Sequence, residues 1–164
     1  HYPLRRQRQM CIRDRCSCGN TGCLEMLASG KAVAREAVRR IRDGERSSLT
    51  EMVAGELAAI TAEKVSLAAE NGDSLANAVI TQAATYLGVG LVNVVNIFNP
   101  EVIVIGGGLS KMGDRLLNPA RQVVTARAFP LSAQTVRIVS AQLGDDAGLL
   151  GAALFALPYG KEEV

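Results

Sequence analysis

The sequence predicts an α/β fold, and two observations support that class. Two short runs rich in β-branched residues, Glu101–Ile105 (EVIVI) and Thr135–Ser140 (TVRIVS), are typical of strands, and the first should be fully buried. Helical patterns precede, separate and follow them, an order typical of α/β proteins. Three Phe, three Tyr and no Trp in a chain that is 48% apolar predict an aliphatic core.

Helix periodicity and capping signals predict the remaining elements. The expected helices are Leu24–Arg42, a short one from Thr61 to Asn71, Asp73–Phe98, Ser110–Ala128 with an interruption at Asn118-Pro119, and Ala147–Ala156. The third is rich in Ala, Val and Leu nearly all round, so it should be buried on most faces. Gly88 and Gly90 within it should allow another element to pack closely.

Composition and charge exclude several protein classes. Charged residues make up 21% of the chain, which excludes a disordered protein. Apolar runs are interrupted well before the ~18 residues of a membrane span, so we expect none. The first fifteen residues lack the apolar core of a secretory signal. All four cysteines lie between Cys11 and Cys23, which favours a metal site in a reducing compartment and hence a cytoplasmic protein.

Residues 1–15 differ from the rest of the chain. They contain five arginines against Asp14, whereas the remainder carries 13 basic and 15 acidic groups. They show no sustained periodicity and start at His1, so we interpret them as a foreign head; a native basic extension is the alternative. A basic head could bind nucleic acid, but the body has no basic stripe interleaved with aromatic residues.

The cysteine motif Cys16-x-Cys18-x4-Cys23 indicates a metal site. Thiolates are soft ligands that suit Zn²⁺, and Gly19 and Gly22 favour a tight turn on which three sulfurs can converge. A structural zinc needs a fourth ligand, and Cys11 and His1 are the only other Cys or His in the chain. Free thiols are the alternative.

Three further features could take part in binding. Gly106-Gly107-Gly108, between a strand and a helix, would let a nucleotide approach the backbone, although a tight structural turn explains it equally well. Asp145 and Asp146 before the last helix could bind a metal, but N-capping is the simpler role. Glu25, two residues after Cys23, could accept hydrogen bonds from hydroxyl groups or be a solvated glutamate at a helix start.

Taken together, these features resemble the ROK family of repressors, open reading frames and kinases, and are most similar to its bacterial glucokinases. Residues 16–25, CSCGNTGCLE, match the signature C-x-C-G-x-x-G-C-x-E at every fixed position. Residues 96–110 (NIFNPEVIVIGGGLS) and 143–153 (LGDDAGLLGAA) are similar to two other family blocks. The resemblance covers residues 16–157, leaving the head 1–15 and the tail 158–164.

The resemblance implies an actin-like ATPase fold, also called ribonuclease H-like, of which residues 16–157 form mainly the C-terminal lobe with a small zinc loop at 16–25. It implies ATP with Mg²⁺ as cofactor and a structural Zn²⁺ held by Cys16, Cys18 and Cys23, with Glu25 contacting sugar hydroxyls. Gly106, Gly107 and Gly108 would line the adenosine pocket, near Asp146 and Ala147. A homo-oligomer, such as a dimer, is the expected assembly.

The implied activity is ATP-dependent phosphorylation of glucose to glucose 6-phosphate, as in glycolysis. The family's phosphate-binding D-x-G-x-T loop and its catalytic Asp cannot be located here, so we expect this chain to be an inactive, N-terminally truncated fragment. Two alternatives stay open: a sugar-responsive transcriptional repressor, which would bind DNA, and a kinase for fructose or an N-acetylhexosamine.

Overall fold

The computed structural model describes residues 15–156, which form seven helices and two strands. The helices are α1 (Gly30–Arg42), α2 (Leu49–Met52), α3 (Ala62–Glu70), α4 (Ser74–Phe98), α5 (Asp114–Arg127), α6 (Pro130–Thr135) and α7 (Ala147–Ala156). The strands are β1 (Val102–Ile105) and β2 (Arg137–Ser140). Single 3₁₀ turns occupy Leu24–Met26, Leu57–Ala59, Gly108–Met112 and Gly144–Asp146.

The two strands pair in parallel, with Val102 opposite Arg137 and Ile105 opposite Ser140. A parallel pair needs a long crossover, and α5 and α6 provide it. This arrangement confirms the α/β class.

The prediction that the first strand is fully buried is wrong. Val104 is 60% exposed, whereas Ile138 on β2 is 5% exposed. The reason is that helices cover only one face of the pair in the described part of the chain. On that face Ile103, Ile105 and Ile138 pack with apolar residues of α4 and α5: Leu91, Val95, Leu117, Ala120 and Val124.

Helix α4 joins two hydrophobic clusters. Its first half packs with α1 and α3, and its second half packs with α5 and the sheet. Its limits match the prediction: the Asp73 carboxylate accepts the Ala76 N–H at 2.8 Å, and Asn99 ends it in a left-handed conformation. Most of its residues are buried or half-buried, as predicted, but Ile97 and Phe98 at its end are more than 70% exposed.

By length and composition alone, α4 would suffice for a membrane span, although we expected none from the sequence. The core helix of a globular protein meets the same criterion. Nine residues of α4 are buried against neighbouring elements, so we interpret it as a core helix.

Two predicted helices have different boundaries in the structure. Ser29 interrupts Leu24–Arg42, because its hydroxyl caps α1 by accepting the Ala32 N–H at 3.2 Å. Gly113, at φ 57°, separates a 3₁₀ turn from α5. Pro119 lies inside α5 without interrupting it, so the predicted interruption there is wrong.

The second strand is shorter than predicted. Thr135 ends α6, which Pro130 begins at a position where its missing N–H has no helical partner to lose. Arg121 of α5 fixes the start of β2 by donating to the Ile138 carbonyl at 2.7 and 3.0 Å. The last helix, Ala147–Ala156, matches its prediction.

Candidate functional site

The three described cysteines lie on a compact turn that leads into the 3₁₀ turn Leu24–Met26. The Cys16 N–H donates to the Asn20 carbonyl at 2.8 Å, and the Gly19 N–H donates to the Cys16 carbonyl at 2.9 Å. Gly19 and Gly22 have φ of 87° and 73°, a conformation that other residues rarely adopt. The local backbone therefore brings residues 16 and 23 together.

The sulfur atoms of Cys16, Cys18 and Cys23 all lie within 4.8 Å of one another, and those of Cys18 and Cys23 are 3.5 Å apart. Zinc–sulfur bonds of ~2.3 Å in a tetrahedron place sulfurs about 3.8 Å apart. The thiols are half-buried or exposed, so an ion can reach them. The donor set and its spacing suit Zn²⁺.

The thiols also influence each other's ionisation. A hydrogen bond from the backbone of Asn20, with smaller contributions from the other two thiols, lowers the pKa of Cys18. The hydrogen bond with Cys18 raises the pKa of Cys23 to about 11. Thiolates in such close contact repel one another, and a bound cation would relieve the repulsion as protons leave.

No candidate for a fourth ligand is found among residues 15–156, where these three cysteines are the only group of Cys, His, Asp or Glu side chains close enough to share a metal ion. Cys11 and His1, the two candidates from the sequence, lie outside the described residues. The metal assignment therefore stays a prediction.

Glu25 lies in the middle of the 3₁₀ turn that follows Cys23. Its side chain is exposed and makes no hydrogen bond or ion pair with another described residue. The residues on both sides of it are held: Leu24 contacts Gly90 of α4, and the Met26 carbonyl accepts a hydrogen bond from Arg35 of α1. These contacts restrain the backbone on both sides of Glu25 and leave its carboxylate exposed.

The glycine turn, residues 106–108, continues directly from β1. Gly107 has φ 84°, and a side chain added at Gly107 or Gly108 would meet no atom within 4 Å. Ser110, which is 8% exposed, holds the turn: its hydroxyl donates to the Gly107 carbonyl at 2.7 Å. The result is a fixed backbone with an open surface.

The loop after β2 lies at the same edge of the sheet as the glycine turn. The Ala141 N–H donates to the Ile105 carbonyl at 2.8 Å, and the β carbon of Ala141 would lie 3.6 Å from one added at Gly106. Asp146, which is exposed, and Ala147 follow within a few residues. In parallel sheets, ligands bind at the carboxyl ends of the strands, where both loops lie.

A cavity of about 200 Å³ adjoins the glycine turn, and sequence reasoning missed it. Helix α3 forms one wall and the 3₁₀ turn Gly108–Met112 the other. Its lining comprises Ala62, Glu63, Ser66, Leu67, Glu70, Gly108, Lys111 and Met112. Only the tertiary packing of α3 against the turn creates it, so no local signal in the sequence could have indicated it.

A larger cavity of about 560 Å³ lies between α1 and α4, with Met26 and Leu27 at its edge. Glu36 lies in its wall and pairs with Arg39 at 2.7 Å and Arg40 at 3.0 Å. Burial raises the pKa of Glu36, but the hydrogen bonds from these two arginines outweigh it and lower the pKa overall. The carboxylate is thus charged and paired.

The described contacts therefore form two groups. The cysteine turn and Glu25 are anchored on α1 and α4, whereas the glycine turn and the loop with Asp146 are joined at the sheet edge. The first group offers sulfur donors and a carboxylate. The second offers open backbone beside a cavity.

Comparisons with known proteins identify the family of the chain. A model of the ROK family matches residues 1–158. The chain is 42% identical over 136 residues to a glucokinase of Halalkalibacterium halodurans, covering 83% of this chain and 41% of that protein. It is 35% identical over 140 residues to the DNA-binding transcriptional repressor Mlc of Escherichia coli, covering 85% and 33% respectively.

A solved structure extends the comparison from the sequence to the fold. A ROK family glucokinase from Streptomyces griseus, in complex with glucose and AMPPNP, is similar with a TM-score of 0.79 and 32% identity. The match covers 88% of this chain and 47% of that one. The chain thus spans less than half the length of these relatives.

Proposed function

Since the chain belongs to the ROK family, we propose that it is the nucleotide-binding part of an ATP-dependent sugar kinase, with glucose as the sugar. The observation that carries the proposal is the open glycine turn at the carboxyl edge of the parallel strands, beside a cavity of about 200 Å³. The similarity to a glucokinase solved with glucose and AMPPNP supports it.

Each group of residues has a role in this proposal. The backbone of Gly106, Gly107 and Gly108 lines the adenosine pocket, with Asp146 and Ala147 nearby. The adjoining cavity, which Ser66 and Gly108 help to line, would take the adenine base. Mg²⁺, arriving with ATP, would neutralise phosphate charge.

The cysteine turn has a structural role in this proposal. Cys16, Cys18 and Cys23 hold a Zn²⁺, completed by a fourth ligand outside the described residues. The metal would supply rigidity, because a closed structural zinc site stabilises the fold around it. Glu25, on the adjoining turn, accepts hydrogen bonds from sugar hydroxyls.

The 164-residue chain alone should not phosphorylate sugar. Phosphoryl transfer depends almost entirely on positioning and on stabilisation of charge, and it needs a carboxylate to take the proton from the attacking hydroxyl. No D-x-G-x-T loop occurs in this sequence, and no catalytic Asp can be assigned in it. ATP-dependent formation of glucose 6-phosphate by the pure chain would contradict this.

A sugar-responsive repressor is the second candidate, and the similarity to Mlc favours it. In that case DNA would be a partner, and the glycine turn would not need to bind ATP. A kinase for fructose or an N-acetylhexosamine is a variant of the first candidate. For either kinase we propose a cytoplasmic homo-oligomer with no membrane partner.

The decisive experiment measures binding of MgAMPPNP to the full 164-residue chain by calorimetry, for wild type and Gly108→Ala. The added β carbon meets nothing within 4 Å and needs no unusual φ, so the fold should tolerate it. Gly151→Ala on α7 is the matched control, since its β carbon also meets nothing.

We expect MgAMPPNP to bind wild type and Gly151→Ala equally, and Gly108→Ala to bind about tenfold more weakly because the methyl occupies ligand space. Wild type that binds glucose but no nucleotide would contradict the kinase proposal and favour the repressor. Equal binding by Gly108→Ala would contradict the assignment of the glycine turn.

A further inference from the structure

We infer that Gly90 and Arg35 are positioning residues for the sugar site: they fix the 3₁₀ turn Leu24–Met26 and so aim the Glu25 carboxylate. The inference rests on the proposed role of Glu25 in sugar binding. It adds two residues, from two different helices, that the cysteine signature does not include.

The first tether is the contact between Leu24 and Gly90. A β carbon added at Gly90 would lie 2.8 Å from Cδ2 of Leu24, closer than real contacts allow. The leucine therefore occupies the space that any other residue at position 90 would fill. Leu24 is still 41% exposed, so this contact contributes more to the location of the turn than to the core.

The second tether is the hydrogen bond from Arg35. Its Nη2 donates to the Met26 carbonyl at 2.5 Å, from the first half of α1. The bond joins a charged donor to a carbonyl, and charge-assisted hydrogen bonds are stronger than neutral ones. The turn is thereby attached to α1 as well as to α4.

The two tethers lie on either side of Glu25. Leu24 is held on one side and the Met26 carbonyl on the other, so the backbone at Glu25 has little freedom to rotate. The Glu25 side chain itself has no described partner. Binding through one carboxylate depends on placement, and losing the tethers would cost affinity while leaving the carboxylate present.

Amide hydrogen exchange of the ligand-free chain tests the tethers directly. The amides of Met26, Leu27 and Ala28 donate within this turn at 2.8–2.9 Å, so their exchange reports its opening. One variant is Gly90→Leu, whose new side chain would occupy the space that Leu24 now fills; leucine is also a good helix former, so α4 itself should persist. The other variant is Arg35→Met, which removes the hydrogen bond to the Met26 carbonyl. Arg35→Lys tests rescue, and Thr81→Leu, at an exposed site of α4, is the control.

We expect exchange at these amides to rise about tenfold in Gly90→Leu and Arg35→Met, with partial rescue in Arg35→Lys and no change in Thr81→Leu. The midpoint of global unfolding should be the same in Gly90→Leu and Arg35→Met as in the control Thr81→Leu. Unchanged exchange in both variants would overturn the inference.

Glucose binding, measured by calorimetry on the same proteins, separates the two claims. We expect about tenfold weaker binding in Gly90→Leu and Arg35→Met. Faster exchange with wild-type glucose affinity would overturn the positioning role. If the wild-type chain binds no glucose, the proposed sugar site fails, whereas exchange alone still decides whether Gly90 and Arg35 fix the turn.

Discussion

Gly88 and Gly90 are two residues apart on α4, yet the structure predicts opposite effects of alanine at the two positions. At Gly88, the added β carbon would lie 2.7 Å from Cβ of Val123 and 2.9 Å from the carbonyl oxygen of Ala120. Neither atom can move without displacing the backbone of α5. At Gly90, the nearest atom is Cδ2 of Leu24, at the end of a side chain that can rotate away from an added methyl group without displacing backbone atoms.

The magnitudes follow from two opposing effects. Overpacking a close contact costs up to about 3 kcal/mol, and replacing a helical glycine by alanine returns about 1 kcal/mol. Gly88→Ala should therefore lower the free energy of unfolding by about 2 kcal/mol, since both contacts are rigid. Gly90→Ala should leave it unchanged or raise it by up to about 1 kcal/mol.

Thermal and urea unfolding, followed by circular dichroism, would measure the difference. For a chain of this size, ~2 kcal/mol corresponds to a fall in Tm of about 4–8 °C. Equal stability of Gly88→Ala and Gly90→Ala, or a stabilised Gly88→Ala, would refute the close α4–α5 packing.

Other substitutions test further parts of the fold and site. Leu116→Ala, at a fully buried position, should cost about 2–5 kcal/mol in urea unfolding. Asp73→Ala removes the cap of α4 and should cost about 1–2 kcal/mol. Burial raises the pKa of Asp73, but hydrogen bonds from Ala76, Ser48 and Ser47 lower it overall. Its contribution to stability is therefore present above the ordinary aspartate pKa and lost as pH falls through the lowered value, so Asp73→Asn should flatten the acid side of the stability profile. Cys18→Ser should reduce zinc content, measured by atomic absorption, and thermal stability together; unchanged values would contradict the structural zinc.

The sequence predicted correctly the limits of those elements that a single capping or turn residue begins or ends. Asp73 caps α4, Asn99-Pro100 ends it, and the glycine turn follows a strand as expected. The close packing predicted at Gly88 and Gly90 of α4 is also confirmed, because a glycine inside an apolar helix leaves room for a neighbouring element.

The remaining features depend on tertiary structure. Apolar β-branched residues predict a buried strand, but whether both faces of β1 are covered depends on which other elements lie there. Pro119 was expected to interrupt a helix, yet α5 accommodates it in its first half. The cavity beside the glycine turn arises from α3, about 40 residues earlier in the chain.

Nucleotide binding at the glycine turn can be measured by mapping backbone amide shifts by NMR as MgAMPPNP is added to the 164-residue chain. We expect the largest shifts at Gly106, Gly107 and Gly108, smaller ones at Asp146, and little change in the cysteine turn. Saturable shifts confined to the cysteine turn or to α1, or no shifts at all, would contradict it.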